Sequence, residues 1–291
     1  MKRNSILFVG CGDLGARCGR LFQERDWQVA GVRRNVAGLP SGFIGFAADY
    51  TLPGSLDFSE AWQPDYVVAT FTPSDRSVEG YHRGFTLAAQ NLLAGLGEHR
   101  PKAILTASST RVFAEQNGGW VDADSALAEH DSRALAIIAA EQLLQASAQR
   151  VCVIRFGGIY GVPGGRLVQK VRRGELSPEQ PLRYGNRMHR DDCAGFLAHL
   201  VERLEAGEEL APVYIGVDDL PAPQAEVERW LAAALGLPTG PAKSLPGSVK
   251  SSGMATASGH KRCSNRLLHA SGYRLLYPDY RSGYAAVLAA G

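Results

Sequence analysis

Ser5-Ile6-Leu7-Phe8-Val9-Gly10-Cys11-Gly12-Asp13-Leu14-Gly15 joins an apolar run to a spaced set of glycines. Ile6 to Val9 have the length and the β-branched or aromatic character of a buried strand. Ala16, Arg17, Leu21, Phe22 and Glu24 follow at spacings that give a helix one apolar side. The glycines therefore sit at a strand-to-helix turn, the context in which G-x-G-x-x-G carries meaning. Gly10 permits the tight bend, Gly12 lets a pyrophosphate approach the backbone, and Gly15 lets helix and strand pack closely. The helix start offers free N–H groups and a positive dipole end to phosphates. A chain with 33 glycines will produce such spacings by chance. The strand before, the helix after and the position near residue 1 set this one apart, and Gly10, Gly12, Asp13, Leu14 and Gly15 are the first candidate contacts of a dinucleotide.

At 291 residues with a net charge of +2, the chain is long enough for a substantial core and nearly neutral. No basic run interleaved with aromatics points to nucleic acid, and no stretch approaches the roughly 20 apolar residues of a membrane span. Met1 to Asn4 resembles the charged start of an export signal, but the apolar run after it breaks at Gly10. Five cysteines, Cys11, Cys18, Cys152, Cys193 and Cys263, are scattered and lack metal-ligand spacing, so no metal site is expected. They read as thiols of a reducing cytoplasm.

Further along, Trp27 to Val32 reads as a second strand ending at Arg33-Arg34. NAD sites commonly place an acid about 20 residues past the glycines to bind the ribose 2′-OH, whereas an arginine there accepts a 2′-phosphate. Two arginines and no acid point to NADP in preference to NAD, with a solvated basic turn as the other reading. Phe43 to Ala48 and Pro64 to Phe71 are the next strands. Their ends make Asp49-Tyr50 candidates for the adenosine side and Thr70-Phe71-Thr72 for the ribose side. Pro53 to Trp62 holds one or two helical turns at most, and Arg76 to His99 is a long helix. Lys102 to Ala107 is the fifth strand, followed by the hydroxyls Ser108-Ser109-Thr110.

Glu115 to Asp131 reads as a loop, with Ser132 capping the next helix, and Val151 to Phe156 is a sixth strand. Six strands alternating with helices predict a doubly wound, parallel, Rossmann-like α/β sheet. Residues 1–163 form the dinucleotide-binding domain in this reading, with 191–217 returning to it through a strand at Val213 to Val217. Residues 164–190 and 218–291 make a small substrate-type region, with a Gly/Pro/Ser loop at Thr239 to Cys263 of the length often found in lids or disordered segments.

Gly10 to Gly15, Asp49, the Ala107-Ser-Ser-Thr-Arg-Val-Phe113 turn, the Arg155-Phe-Gly-Gly-Ile-Tyr-Gly161 strand end and Arg187-Met-His-Arg-Asp-Asp192 together resemble the extended short-chain dehydrogenase/reductase proteins of the epimerase/dehydratase type. The resemblance covers nearly the whole chain. It implies that Ser109, with Thr110 beside it, polarises the substrate oxygen. It also implies a Tyr-x-x-x-Lys pair on the following helix, and here the sequence departs from the family. Counting back from Glu141 puts Arg133 in the tyrosine's place and Ile137 in the lysine's. No tyrosine lies between Tyr81 and Tyr160, and Lys102 is the only lysine between Lys2 and Lys170. An arginine cannot give up its proton near neutral pH, so the usual acid/base is absent.

Tyr81, Tyr160 and His189 are substitutes that could reach the crevice, each with packing or surface exposure as the alternative; His130-Asp131 is a further pair. Arg166, Arg172, Arg173, Arg183, Arg187 and Arg190 fall where the resemblance implies a substrate domain that often handles a nucleotide-diphosphate sugar; arginines suit paired phosphate oxygens, or the cluster forms a solvated face. Tyr160, Arg187 and His189 are the substrate-side candidates. Two functions stay open: an NADP-dependent oxidoreductase or epimerase with a rearranged proton donor, and a non-catalytic NADP(H)-sensing or scaffold protein. The family's dimers imply a homodimer built on the helices that start near Arg76 and Ser132.

Overall fold

The computed structural model describes residues 3–239 and 260–290. Residues 240–259, most of the loop read at Thr239 to Cys263, lie outside the described residues. Seven parallel strands form the central sheet: β1 (Ser5–Val9), β2 (Gln28–Arg33), β3 (Ile44–Ala47), β4 (Tyr66–Ala69), β5 (Ala103–Ser109), β6 (Val151–Phe156) and β7 (Val213–Gly216). Their spatial order is β7-β6-β5-β4-β1-β2-β3, which reverses direction of progression between β1 and β4. That reversal is the switch point at which open α/β sheets bind ligands, beyond the carboxyl ends of the strands.

Every residue of β1 is buried, because helices cover both faces of the sheet. The alternation of side chains divides the strands between two cores. Leu7, Val9, Val32, Val67 and Ile104 pack under the helical segments at 78–96 and 132–145. Ile6, Phe8, Val29, Val68, Leu105 and Ile154 pack under Asp13–Gln23 and Arg190–Glu205. A third, smaller core gathers Val168, Val171, Val227, Leu231, Tyr280 and Tyr284 from the helices Arg166–Arg172, Gln224–Ala234 and Tyr280–Ala289. Val168 and Tyr284 of this satellite line a cleft together with Tyr160 and Arg187.

Local details differ from the sequence reading. The helix expected over Arg76 to His99 runs from Val78 to Leu96 and contains a π-helical stretch at His82–Leu87. Asp131, not Ser132, caps the helix Ser132–Gln145, since its carboxylate accepts from the Arg133 and Ala134 amides. β5 runs through Ser108 and Ser109, which pair with Arg155 and Phe156 of β6, so those two hydroxyls stand on the strand end rather than past it. Within the loop at 115–131, Trp120–Val121 pairs with Arg262–Cys263 and ties the chain's last segment to the edge of the cleft.

Asp218, just after β7, is buried, and its Oδ2 has no partner among the described residues. Its Oδ1 accepts from the Leu220 amide, and burial pushes its pKa up to about 8 against the opposing pull of Arg187. The folded protein therefore holds a proton that the unfolded chain has released between about pH 4 and pH 8, so stability falls as pH rises through that window. Asp218→Asn keeps the Leu220 bond and removes the ionisation. Urea unfolding at pH 5 and pH 8 should show the variant gaining about 1–3 kcal/mol over the wild type at the higher pH and little at the lower. Equal gains at both pH values would show that the carboxyl does not titrate in this window.

Candidate functional site

Gly10 has φ +82°, and a Cβ there would stand 2.9 Å from the Thr70 carbonyl, so the bend at the end of β1 admits only glycine. Gly12 is different. A Cβ on it would meet nothing nearer than the Gly10 carbonyl at 3.8 Å, so the protein itself does not require glycine there. The space over Gly12 is open. At Gly15 a Cβ would touch Cys11 Sγ at 3.4 Å and Phe8 at 3.5 Å, the close helix-on-strand packing the motif predicts.

Gly12 caps the helix Asp13–Gln23 without any side-chain hydrogen bond, leaving first-turn amides for a ligand. Asp13, in that first turn, pairs with Arg17 at 3.2 Å and Arg190 at 3.5 Å, and Arg17 reaches Asp191 at 2.6 Å. The acidic side chains beside the turn are thus compensated by arginines.

From this turn a groove extends both ways. One arm, about 330 Å³, is lined by Gly10, Gly12, Arg33, Arg34, Asp49, Tyr50 and Thr72. Arg33 is half-buried and donates to the Gly38 carbonyl at 3.0 Å, whereas Arg34 is exposed and makes no ion pair among the described residues. Asp49 Oδ1 accepts from the Thr51 amide at 3.1 Å and hydroxyl at 2.7 Å, which fixes its carboxylate at the strand end. The Tyr50 hydroxyl stands 3.3 Å from the Thr72 amide, and the Thr70 hydroxyl donates to the Gly10 carbonyl at 2.7 Å, clamping the bend.

The other arm, also about 330 Å³, is lined by Gly12, Asp13, Leu14, Thr70, Phe71, Thr72, Tyr81, Ser108, Ser109, Arg111 and Ile137. It brings the glycine turn, the ribose-side candidates and Ser109 into one cavity. Ser109 Oγ accepts from the Arg111 amide at 3.2 Å, which leaves its own O–H free to point at a ligand. Ser108 donates instead to Glu141, whose carboxylate also holds Arg155 at 2.7 Å with both side chains buried.

Past Ser109 the groove continues into a cavity of about 400 Å³ lined by Ser109, Thr110, Arg111, Arg183, Tyr184, Gln224, His260 and Lys261. Thr110 belongs to this arm alone among those two cavities. Lys261 is buried, and its ammonium donates to the Phe113 carbonyl at 2.9 Å and the Thr110 carbonyl at 3.3 Å; burial lowers its pKa. A wider cleft of about 890 Å³ lies beyond, lined by Tyr160, Arg166, Lys170, Arg173, Arg187 and Tyr284.

The substrate-side candidates are embedded to different degrees. Arg187 is buried and bound to the Gly185 carbonyl at 3.1 Å and Gln224 at 2.6 Å. His189 is buried against Tyr160 and Tyr277 and caps the helix Arg190–Glu205 through its ring nitrogen. Tyr160 stacks on Tyr284, and burial raises its pKa. None of these three lines the cavity that holds Ser109 and Gly12. Arg111, Tyr184, Gln224 and Lys261 were not anticipated as site residues, and only Arg111 carried a local signal, its place directly after Ser108-Ser109-Thr110.

A doubly wound sheet with a glycine turn at its switch point and a hydroxyl cluster on the neighbouring strand defines the class. No family model matches the chain, and no curated protein matches it. Among solved structures, one assigned as an NAD-dependent epimerase/dehydratase from Methylobacillus flagellatus is 32% identical over 99% of both chains, with a TM-score of 0.82. This chain belongs to the NAD-dependent epimerase/dehydratase family. The same fold is found in a human epimerase family protein solved with NADPH, at 20% identity, 97% and 98% coverage and a TM-score of 0.71. A UDP-glucose 4-epimerase from Thermotoga maritima, solved with UDP-glucose, shares the fold at 14% identity, 97% coverage of each chain and a TM-score of 0.78.

Proposed function

We propose that this protein binds NADP and catalyses an oxidoreductase or epimerase reaction on a phosphate-bearing small molecule. The observation that carries the reading is the continuous groove from Arg34, over the open face of Gly12, to Ser109 and on to the cation-lined cavity of Arg111, Arg183 and Lys261. The residues fit a dinucleotide: a pyrophosphate has room over Gly12 beside unpaired helix amides, and Arg34 is free to meet a 2′-phosphate. When bound, a nicotinamide dinucleotide supplies hydride transfer. The chain's own contribution is positional. Ser109 directs its free O–H toward a substrate oxygen, while Arg111 and Arg183 offer planar donors to phosphate oxygens. Residues 1–163 with 191–217 serve the dinucleotide in this reading, and 164–190 with 218–291 serve the substrate.

A homodimer through the helices at 78–96 and 132–145 is part of the proposal, supported by the exposed Val78 and Leu135 on them. The absence of the Tyr-x-x-x-Lys pair favours a second reading, a non-catalytic NADP(H) sensor or scaffold. Incubation with NADPH deuterated at C4 and a panel of activated carbonyls and nucleotide sugars separates the two. Stereospecific deuterium transfer is expected; tight NADPH binding without transfer to any of them favours the sensor.

A further inference from the structure

We propose that Tyr81 is the proton donor and acceptor of this site, supplied from the helical segment 78–96, which packs beside the helix on which family members carry their tyrosine. The inference rests on the oxidoreductase or epimerase reading above. It begins with what faces the Ser109 cavity. Among the described lining residues, Asp13, Tyr81 and Arg111 are the ionisable ones. Asp13 is held by Arg17 and Arg190, and Arg111 is paired with Asp131 and cannot deprotonate. Tyr81 is left as the group there that can both give and take a proton.

Its surroundings suit the role. The Arg111 guanidinium lies 5.8 Å from the Tyr81 ring centroid and that of Arg133 lies 5.9 Å from it. Arg133 occupies the sequence place of the missing tyrosine, so the same helix position now presents a cation to the ring of a tyrosine on the neighbouring helical segment. Both guanidiniums lie near the Tyr81 ring, so negative charge developing on the phenol would form beside two cations.

The backbone singles out the same residue. Tyr81 ends the first α-helical turns of the 78–96 segment, and the π-helical stretch His82–Leu87 begins directly after it. Such a stretch rotates the residues before it relative to those after, and it recurs at functional sites. Here Thr86 stays in the core, bonded to the Ala136 carbonyl at 2.9 Å, while the half-buried Tyr81 and the edge of Phe85 line the cavity. In the reductive direction Tyr81 Oη passes its proton to the carbonyl oxygen as the C=O π bond breaks and the carbon takes hydride from the reduced dinucleotide. The tyrosinate is then reprotonated from water, and the products are an alcohol and oxidised dinucleotide.

Tyr81→Phe removes only the hydroxyl and keeps the ring beside Arg111 and Arg133. Three readouts test the assignment: NADPH affinity by fluorescence, the rate of deuterium transfer, and nitration by tetranitromethane followed by mass spectrometry with and without NADPH. We expect NADPH affinity within about threefold of wild type, transfer slowed about 10²- to 10⁴-fold with little change in KM, and Tyr81 nitrated in the free protein but protected by NADPH. Transfer at the wild-type rate, or nitration of Tyr81 unaffected by bound NADPH, overturns the assignment and leaves the dinucleotide reading intact. Failure of the wild type to bind NADPH, or binding without transfer, overturns the broader reading and this one with it.

Discussion

Gly12→Val is expected to abolish dinucleotide binding while leaving the fold untouched. The two halves of that statement come from one observation: a Cβ on Gly12 meets no protein atom closer than 3.8 Å, and the helix start has an ordinary negative φ of −87° there. A Cβ is therefore accommodated without a clash and without a positive φ. The branched side chain would instead fill the space in which a pyrophosphate must lie to reach the first-turn amides. NADPH affinity should fall at least about 100-fold, roughly the 3 kcal/mol of several charge-assisted hydrogen bonds lost together. The melting temperature without ligand should move little. A variant that binds NADPH normally would place the dinucleotide elsewhere, and one that fails to fold would mean that Gly12 serves the chain rather than a ligand. Gly10→Ala is the contrasting case, since its positive φ and the 2.9 Å approach to the Thr70 carbonyl make it a folding residue first.

Glu141→Ala should produce the largest loss of stability of any single substitution near the site. Its carboxylate holds Arg155 through contacts of 2.7, 3.2 and 3.3 Å, and both side chains are about 95% buried. Among the described residues, removing it leaves the Arg155 guanidinium in the core with the Ala123 carbonyl at 3.3 Å and the Phe113 ring, and Ser108 loses its acceptor as well. An uncompensated buried charge costs about 3–5 kcal/mol, more than the pair contributes over an apolar replacement. Denaturant unfolding should show that loss in the midpoint. A shift worth less than about 1 kcal/mol would mean that water or a rearranged side chain reaches Arg155. Because Ser108 sits one residue before Ser109, the substitution should also loosen the hydroxyl that faces the cavity.

The glycine turn and Ser109 were legible in the sequence for different reasons. The glycine turn is a local signal, written in eleven consecutive residues, and the strand, bend and helix form where the spacing places them. Ser109 was legible by its place after an apolar strand, and the structure puts it at the junction of two cavities. The rest was hidden because distant segments make it. Lys261 meets the Thr110 carbonyl across 151 positions of sequence, and nothing in its Gly/Pro/Ser-rich surroundings marks it as a buried cation. Arg187 reads as one member of a basic cluster, yet it is buried because its strand pairs with Gly158–Tyr160 and hydrogen-bond acceptors converge on it. The π-helical register at His82–Leu87 has no sequence signature that periodicity detects, since the apolar side of the long helix continues through it.

NADP occupancy of the groove is tested by one titration: NADPH and NADH against the wild type and Arg34→Ala at fixed ionic strength. Arg34 is the residue to change because Arg33 is engaged with the Gly38 carbonyl and substituting it would disturb the turn. NADPH should bind the wild type at least about tenfold more tightly than NADH, and Arg34→Ala should lose this margin by weakening NADPH alone. Equal affinities in the wild type would contradict the arginine reading, and absence of binding by either nucleotide would contradict the site itself.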